Sequence, residues 1–224
     1  MSHRKQLRAL DLFCGAGGAS RGLQQAGFHV TGVDLTPQPR YAGDVFHQAD
    51  AMTFPLGGFD FIWASPPCQF ASEVTPLHRR QMHANLIPAT RDRLKRSGTH
   101  YAIENVENAR HHLIHPVCLC GVFFGLRTFR HRYIETSVRL DHTPRGPDGL
   151  YLIHLHDFSP LLVTTAGANS RKIGNFKSVK HAVPAYGIDW MIGRELAQAI
   201  PPAYSKYIAE QMMPHILSAR SEVA

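Results

Sequence analysis

Residues 7–34 constrain the fold more than any other stretch, because they spell a strand, a glycine turn, a helix and a second strand in immediate succession. Leu7 to Phe13 is apolar enough for a buried strand, and the turn follows in Cys14-Gly15-Ala16-Gly17-Gly18. A helix is expected near Ala19 to Ala26, and an apolar strand from Phe28 to Val33 closes at Asp34. That order predicts an α/β fold with a doubly wound, mostly parallel sheet. Glycines at the strand-to-helix turn let backbone approach a ligand closely. The run is not a clean dinucleotide fingerprint, since Ser20 stands at the third glycine of G-x-G-x-x-G. Asp34 nevertheless sits where a carboxylate can take both ribose hydroxyls. Alone, this unit points to an adenosine-containing cofactor without choosing among them.

Further strands are expected at Phe59 to Trp63 and Tyr101 to Ile103, with a helix from about Gln81 to Leu94 between them. Asp50 follows an expected third strand, where it can accept from an adenine amino group or simply cap a turn. The run Ala64-Ser65-Pro66-Pro67-Cys68-Gln69 leaves one strand end, and Glu104-Asn105-Val106 leaves the next. Ligands bind at such strand ends, so a thiol and an acid would share one crevice. Beyond Arg130 the pattern changes. An alternating segment, Arg132 to Val138, a turn region, Thr143 to Gly149, and an apolar stretch, Leu150 to Val163, suggest antiparallel hairpins. Ala166 to Lys180 is polar and basic and reads as a loop. Two closing helices are expected, Gly193 to Ala199 and Tyr204 to Leu217, with Pro201-Pro202 ending one and starting the other. The expected organisation is a catalytic and cofactor-binding part over 1–136, a small basic lobe over 137–182, and helices over 183–224 that pack back.

With 224 residues and 44% hydrophobic content the chain can bury a full core. Its net charge of +7 is localised: residues 91–181 hold 14 Lys or Arg against 7 Asp or Glu, and the remainder holds 10 of each. A basic face suits a polyanion, or equally a solvated surface. Four cysteines are too few for a disulfide framework. With no signal-peptide pattern and no apolar run long enough to span a bilayer, a cytoplasmic protein with reduced thiols is expected. His111-His112-Leu113-Ile114-His115-Pro116-Val117-Cys118-Leu119-Cys120 has metal-binding residue types, but its spacing fits no common structural zinc pattern, and no metal is expected.

The glycine-rich turn, Asp34, Asp50, Pro67-Cys68-Gln69 and Glu104-Asn105-Val106 occur in an order and spacing that strongly resemble the DNA cytosine-5 methyltransferase family, and its compact phage-type members in particular. Arg130-His131-Arg132 resembles that family's arginine-bearing motif, and Ala199-Ile200-Pro201-Pro202 its closing segment. The resemblance covers residues 7 to about 135 and about 183 to 212. It implies S-adenosylmethionine as cofactor, held by Phe13, Gly15, Gly17, Gly18, Asp34, Asp50 and Pro67. It implies Cys68 as the nucleophile that adds to cytosine carbon 6, and Glu104 as the acid on ring nitrogen 3 and the exocyclic amine. Arg130 and Arg132 would clamp the base or a phosphate. The target would be DNA with the base flipped out of the stack, because carbon 6 is inaccessible in a duplex.

Three departures stand out. Thr128 replaces the glutamine that usually precedes the two arginines, Ala197-Gln198 replaces Gly-Asn, and Ser65-Pro66 replaces Gly-Phe or Gly-Pro. Only residues 137–184 separate the arginine motif from the closing segment, where long members insert a recognition domain. Recognition is therefore short or shared with a protein partner. Gln69, Arg171, Lys172, Lys177 and Lys180 are the candidates for DNA contact, mainly to phosphates. Two alternatives stay open: a transfer-RNA cytosine-5 methyltransferase, and a non-catalytic DNA-binding subunit that keeps the fold.

Overall fold

Short apolar runs bounded by turn formers become seven strands: β1 (Arg8–Leu12), β2 (His29–Asp34), β3 (Val45–Gln48), β4 (Phe61–Ala64), β5 (His100–Asn105), β6 (Val117–Leu119) and β7 (Arg132–Thr136). The computed structural model describes residues 6–70, 84–126, 128, 130–140, 183 and 185–222. The strands form one sheet of order β3-β2-β1-β4-β5-β7-β6. Strands β1 to β5 run parallel, with Leu12 paired to both Val33 and Ala64, and Ala64 to Ile103. β7 lies antiparallel to β5 and to β6, as the alternating Arg132 segment suggests. The chain moves outward from β1 to β3 and then crosses back to β4, which places the topological switch between β1 and β4.

Period-2 alternation sends neighbouring strand residues to opposite faces. Ala9, Val30, Phe61, Trp63 and Ala102 pack on one face against helix α1 (Gly18–Gln25) and the long helix α4 (Pro202–Glu222), through Leu23, Tyr204, Ile208 and Met212. Leu10, Leu12, Ile62, Ala64 and Ile103 pack on the other against helix α2 (Ile87–Ser97), through Ile87 and Leu94. The sheet is thus covered on both faces, the doubly wound arrangement expected. α1 and α4 meet at glycines: a Cβ on Gly18 would strike the Ile200 carbonyl, and one on Gly22 would strike the Pro202 carbonyl and the Ser205 hydroxyl. Ser205 Oγ donates to the Ala19 carbonyl at 2.8 Å across this contact. A short helix, α3 (Gly193–Gln198), precedes Pro201-Pro202.

α2 differs from the expected Gln81 to Leu94. It starts at Ile87, whose N–H donates to Asn85 Oδ1 at 3.0 Å, takes Pro88 in its first turn, and stops at Gly98 with φ 69°. Proline is favoured at a helix start and glycine just past its end, so these residues outweigh the apolar spacing upstream. Strand β1 stops one residue short of Phe13, whose φ of 61° cannot continue a strand. The expected turn at Thr143 to Gly149, the stretch Leu150 to Val163 and the loop Ala166 to Lys180 lie outside the described residues, as does the lobe beyond Leu140.

Candidate active site

The five parallel strands all end at one edge of the sheet, and antiparallel β7 begins there. Along that edge the order is Asp50 after β3, Asp34 at the end of β2, the Phe13 to Gly18 turn after β1, Cys68 after β4, Glu104 on β5 and Arg132 opening β7. Sheet order alone therefore divides the candidates: cofactor residues on one side of the switch point, thiol, acid and arginine on the other.

On the first side, Phe13, Gly15 and Gly17 have φ of 61°, 50° and 83°, so the turn curls through left-handed backbone. Asp34 Oδ2 accepts from the Gly15 N–H at 2.9 Å, while Oδ1 accepts from the Thr36 N–H at 3.0 Å. A Cβ on Gly15 would meet nothing within 4 Å, which leaves the turn open on that side. Behind the turn, Trp190 Nε1 donates to the Ala16 carbonyl at 2.9 Å, with the Arg21 guanidinium over its ring. Arg40 and Glu195 pair at 2.7 Å, joining the loop after β2 to α3. Asp50 is exposed, and its Oδ1 accepts from the Met52 N–H at 2.8 Å, a turn-capping contact. Leu35, directly after Asp34, is 70% exposed.

Asp11, fully buried at the end of β1, lies beneath the turn. Its Oδ2 is 2.6 Å from the Ser20 hydroxyl, which is 2.9 Å from the Tyr41 hydroxyl. Burial pushes Asp11 up to about 7, with the Ser20 contact opposing. No sequence pattern marked Ser20 or Tyr41 as its partners.

On the other side, the Ser65 N–H donates to the Leu12 carbonyl at 3.1 Å, and Asn105 Nδ2 donates to the Pro66 carbonyl at 2.9 Å. The Ser65 to Cys68 loop is thereby fastened to β1 and to the end of β5, with Cys68 half-buried and Pro67 and Gln69 exposed. Glu104 is opposite Ile134 in the β5–β7 ladder, so Arg132, two residues earlier, is its diagonal neighbour on the same face. Arg132 Nε lies 2.7 Å from Glu104 Oε1. This is an ion pair without hydrogen-bond alignment, and Oε1 accepts no hydrogen bond although Glu104 is 5% exposed. Such a buried acceptor is unusual and marks a place where a donor can be received.

Burial pushes the Glu104 carboxyl up, while Arg132, Arg130 and the Ser65 hydroxyl pull it down. Burial also pushes the Cys68 thiol up, with Arg132 and Arg130 opposing and the Glu104 charge adding to the rise. Arg130 differs from Arg132 in its contacts. Its guanidinium donates to the Tyr186 hydroxyl at 3.2 Å and to the Ala197 carbonyl at 2.8 Å, and Tyr204 donates to its carbonyl at 2.5 Å. It ties the arginine motif to the closing segment. Ala197 serves there through its backbone, so the departure from Gly-Asn leaves this contact intact. The third departure, Thr128, is buried, with its Oγ1 accepting or donating no hydrogen bond.

Arg171, Lys172, Lys177 and Lys180 lie outside the described residues. Among the described residues no three His, Cys, Asp or Glu side chains cluster for a metal, and no helix is long and apolar enough to cross a membrane. The sequence reading also missed a buried pair behind β5: Arg91 Nη2 and Glu135 Oε2 lie 2.6 Å apart, and Glu135 accepts from the Ile114 N–H as well.

No protein-family model matches the chain, and no curated protein does. Among solved structures, the S. pombe Dnmt2 methyltransferase matches with a TM-score of 0.56 at 15% identity, over 94% of this chain and 99% of that one. An E. coli prophage-encoded protein assigned as a DNA modification methyltransferase matches with a TM-score of 0.45 at 22% identity, over 59% of this chain and 47% of that one. Spodoptera frugiperda DNMT2 matches with a TM-score of 0.45 at 19% identity, over 61% and 51%. The chain spans about half the length of the last two. The fold, a seven-stranded mostly parallel sheet with helices on both faces, is the class I methyltransferase fold, as in S. pombe Dnmt2. S. pombe Dnmt2, which shares this fold, is a methyltransferase.

Proposed function

We propose that this protein is a DNA cytosine-5 methyltransferase that uses S-adenosylmethionine. The observation that carries the reading is the adjacency, at one sheet edge, of a half-buried Cys68 and a buried Glu104 paired to Arg132, next to an open glycine turn closed by Asp34. The residues fit the cofactor. Gly15 leaves room for close backbone approach, Asp34 has acceptor capacity for ribose hydroxyls, and exposed Leu35 offers a flat apolar contact to a purine. When bound, S-adenosylmethionine supplies an electrophilic methyl group.

Carbon 5 of cytosine is a weak nucleophile until a group adds to carbon 6. Cys68 Sγ, as thiolate, makes that bond, and the ring electrons move toward nitrogen 3. Glu104 meets them with its proton, and its second oxygen accepts from the exocyclic amine. Burial favours the neutral acid and the neutral thiol alike, the two arginines oppose it at both groups, and a protonated Glu104 removes the charge that disfavours the thiolate. After methylation, loss of the carbon 5 proton to solvent restores the double bond and expels Cys68. Arg132 supports the developing negative charge. Gln69, Arg171, Lys172, Lys177 and Lys180 are proposed to contact the DNA, and a protein partner would add specificity that a short lobe lacks.

The test is base-resolution cytosine-methylation sequencing of plasmid DNA from a host without cytosine methylases, expressing wild type or Cys68→Ala. Methylation confined to wild type supports the reading and reveals the sequence context. Equal background in both, with methyl transfer to transfer RNA instead, replaces DNA by RNA as substrate.

A further inference from the structure

Ser65 stands where the resembled family carries glycine, and its surroundings give it a defined orientation. In the β4–β5 ladder Ala64 pairs with Ile103, so the next residues, Ser65 and Glu104, lie side by side at the strand ends and point to one face. Trp63, two residues before Ser65, shares that face, and its buried indole Nε1–H donates to Ser65 Oγ at 2.8 Å. A hydroxyl has one proton, and here its lone pair already receives the indole. The Ser65 proton is left to donate, and the ladder register sets the Glu104 carboxyl beside it, whose proton affinity the Ser65 hydroxyl lowers.

We propose that Ser65 is a positioning residue for Glu104: oriented by Trp63, it directs its proton at the carboxyl and governs whether that group is protonated when substrate arrives. This rests on the methyltransferase reading for its purpose, since an acid that protonates ring nitrogen 3 must carry a proton first. The groups facing Glu104 are Arg132 on β7, Arg130 just before it, Cys68 after β4 and Asp11 on β1. Burial opposes the carboxylate, while the two arginines and Ser65 stabilise it. Of these, only Ser65 acts through a neutral hydroxyl that can be removed without changing the net charge of the site.

The test needs no substrate. An infrared pH titration of the free protein follows the carbonyl stretch of the protonated carboxyl, assigned as the band that Glu104→Gln removes. In Ser65→Ala the midpoint rises by about one pH unit, the size expected for one lost hydrogen bond to a charged acceptor. Ser65→Thr, which keeps the hydroxyl, retains the wild-type midpoint. An unmoved midpoint in Ser65→Ala overturns the proposal. Should Ser65→Ala fail to fold because the Trp63 N–H loses its acceptor, Ser65→Cys replaces it, and its weaker donor must also raise the midpoint. The alkaline limb of kcat for methyl transfer moves with the infrared midpoint. A raised midpoint in Ser65→Ala, with the wild-type protein inactive on DNA, supports the Ser65 assignment and refutes the DNA reading instead.

Discussion

Gly22→Ala probes the packing of α1 against α4 on one face of the sheet. A Cβ at Gly22 would penetrate the Pro202 carbonyl oxygen and the Ser205 hydroxyl and lie 2.9 Å from the Lys206 N. Two of those three atoms are backbone at the start of α4, and backbone cannot swing aside as a side-chain tip can. Overpacking of this kind costs about 1–3 kcal/mol. Displacing Ser205 also breaks its hydrogen bond to the Ala19 carbonyl, adding about 1 kcal/mol. Alanine is the better helix former by about 1 kcal/mol, which offsets part of the loss. The net is a destabilisation of about 2 kcal/mol, read as a lower midpoint in urea with an unchanged slope. Gly57→Ala is the control, because its Cβ would meet nothing within 4 Å. Equal midpoints for Gly22→Ala and wild type would refute the packing of α1 on α4 described above.

Arg91→Ala leaves Glu135 buried beside Tyr101 without its cation, and should lower stability by about 3–5 kcal/mol in urea unfolding. The double replacement Arg91→Met with Glu135→Gln should recover much of that loss. Asp11 is held up to about 7 from an ordinary 3.8 by burial. Its folded state binds the proton more tightly than its unfolded state, so stability present below about pH 4 is lost as pH rises toward about 7, by up to roughly 4 kcal/mol. Asp11→Asn should flatten that slope, and identical slopes between pH 4 and pH 8 in both proteins would contradict the assignment.

What could be read from the sequence was local. The strand, turn and helix of residues 7–34 announce themselves because burial, glycine conformation and helix periodicity act within a few residues. Cys68 and Glu104 were legible as strand-end residues for the same reason. Helix α2 begins and ends later than expected, although its signals lie in the sequence: Asn85 and Pro88 mark a start and Gly98 a stop. Pairings between distant residues left no such trace. Arg91 and Glu135 are 44 positions apart and Trp190 and Ala16 are 174 apart, and only the folded sheet brings each pair together. Arg130 and Arg132 looked equivalent in sequence. They part company because Arg132 opens β7 as the diagonal neighbour of Glu104, while Arg130 precedes the strand and meets Tyr186 and Ala197.

That separation of the two arginines bears on the chemistry. The Arg130 guanidinium donates to the Tyr186 hydroxyl and the Ala197 carbonyl, which hold its charge in place, while its Nε has no hydrogen-bond partner among the described residues. Arg132 donates to the His131 carbonyl and is ion-paired to a carboxyl that burial drives toward neutrality. When Glu104 takes a proton, Arg132 loses the charge of its partner, and the Cys68 thiol, which burial pushes up and both arginines pull down, no longer faces the Glu104 charge. Protonating the acid and ionising the nucleophile are then coupled, each making the other easier by the same Coulomb interaction. On the proposed reading, a proton placed on Glu104 would do two things for an incoming cytosine: ready the donor for ring nitrogen 3 and favour the thiolate that attacks carbon 6. Ser65 enters this balance on the side of the Glu104 anion, which is why its removal should register at both groups.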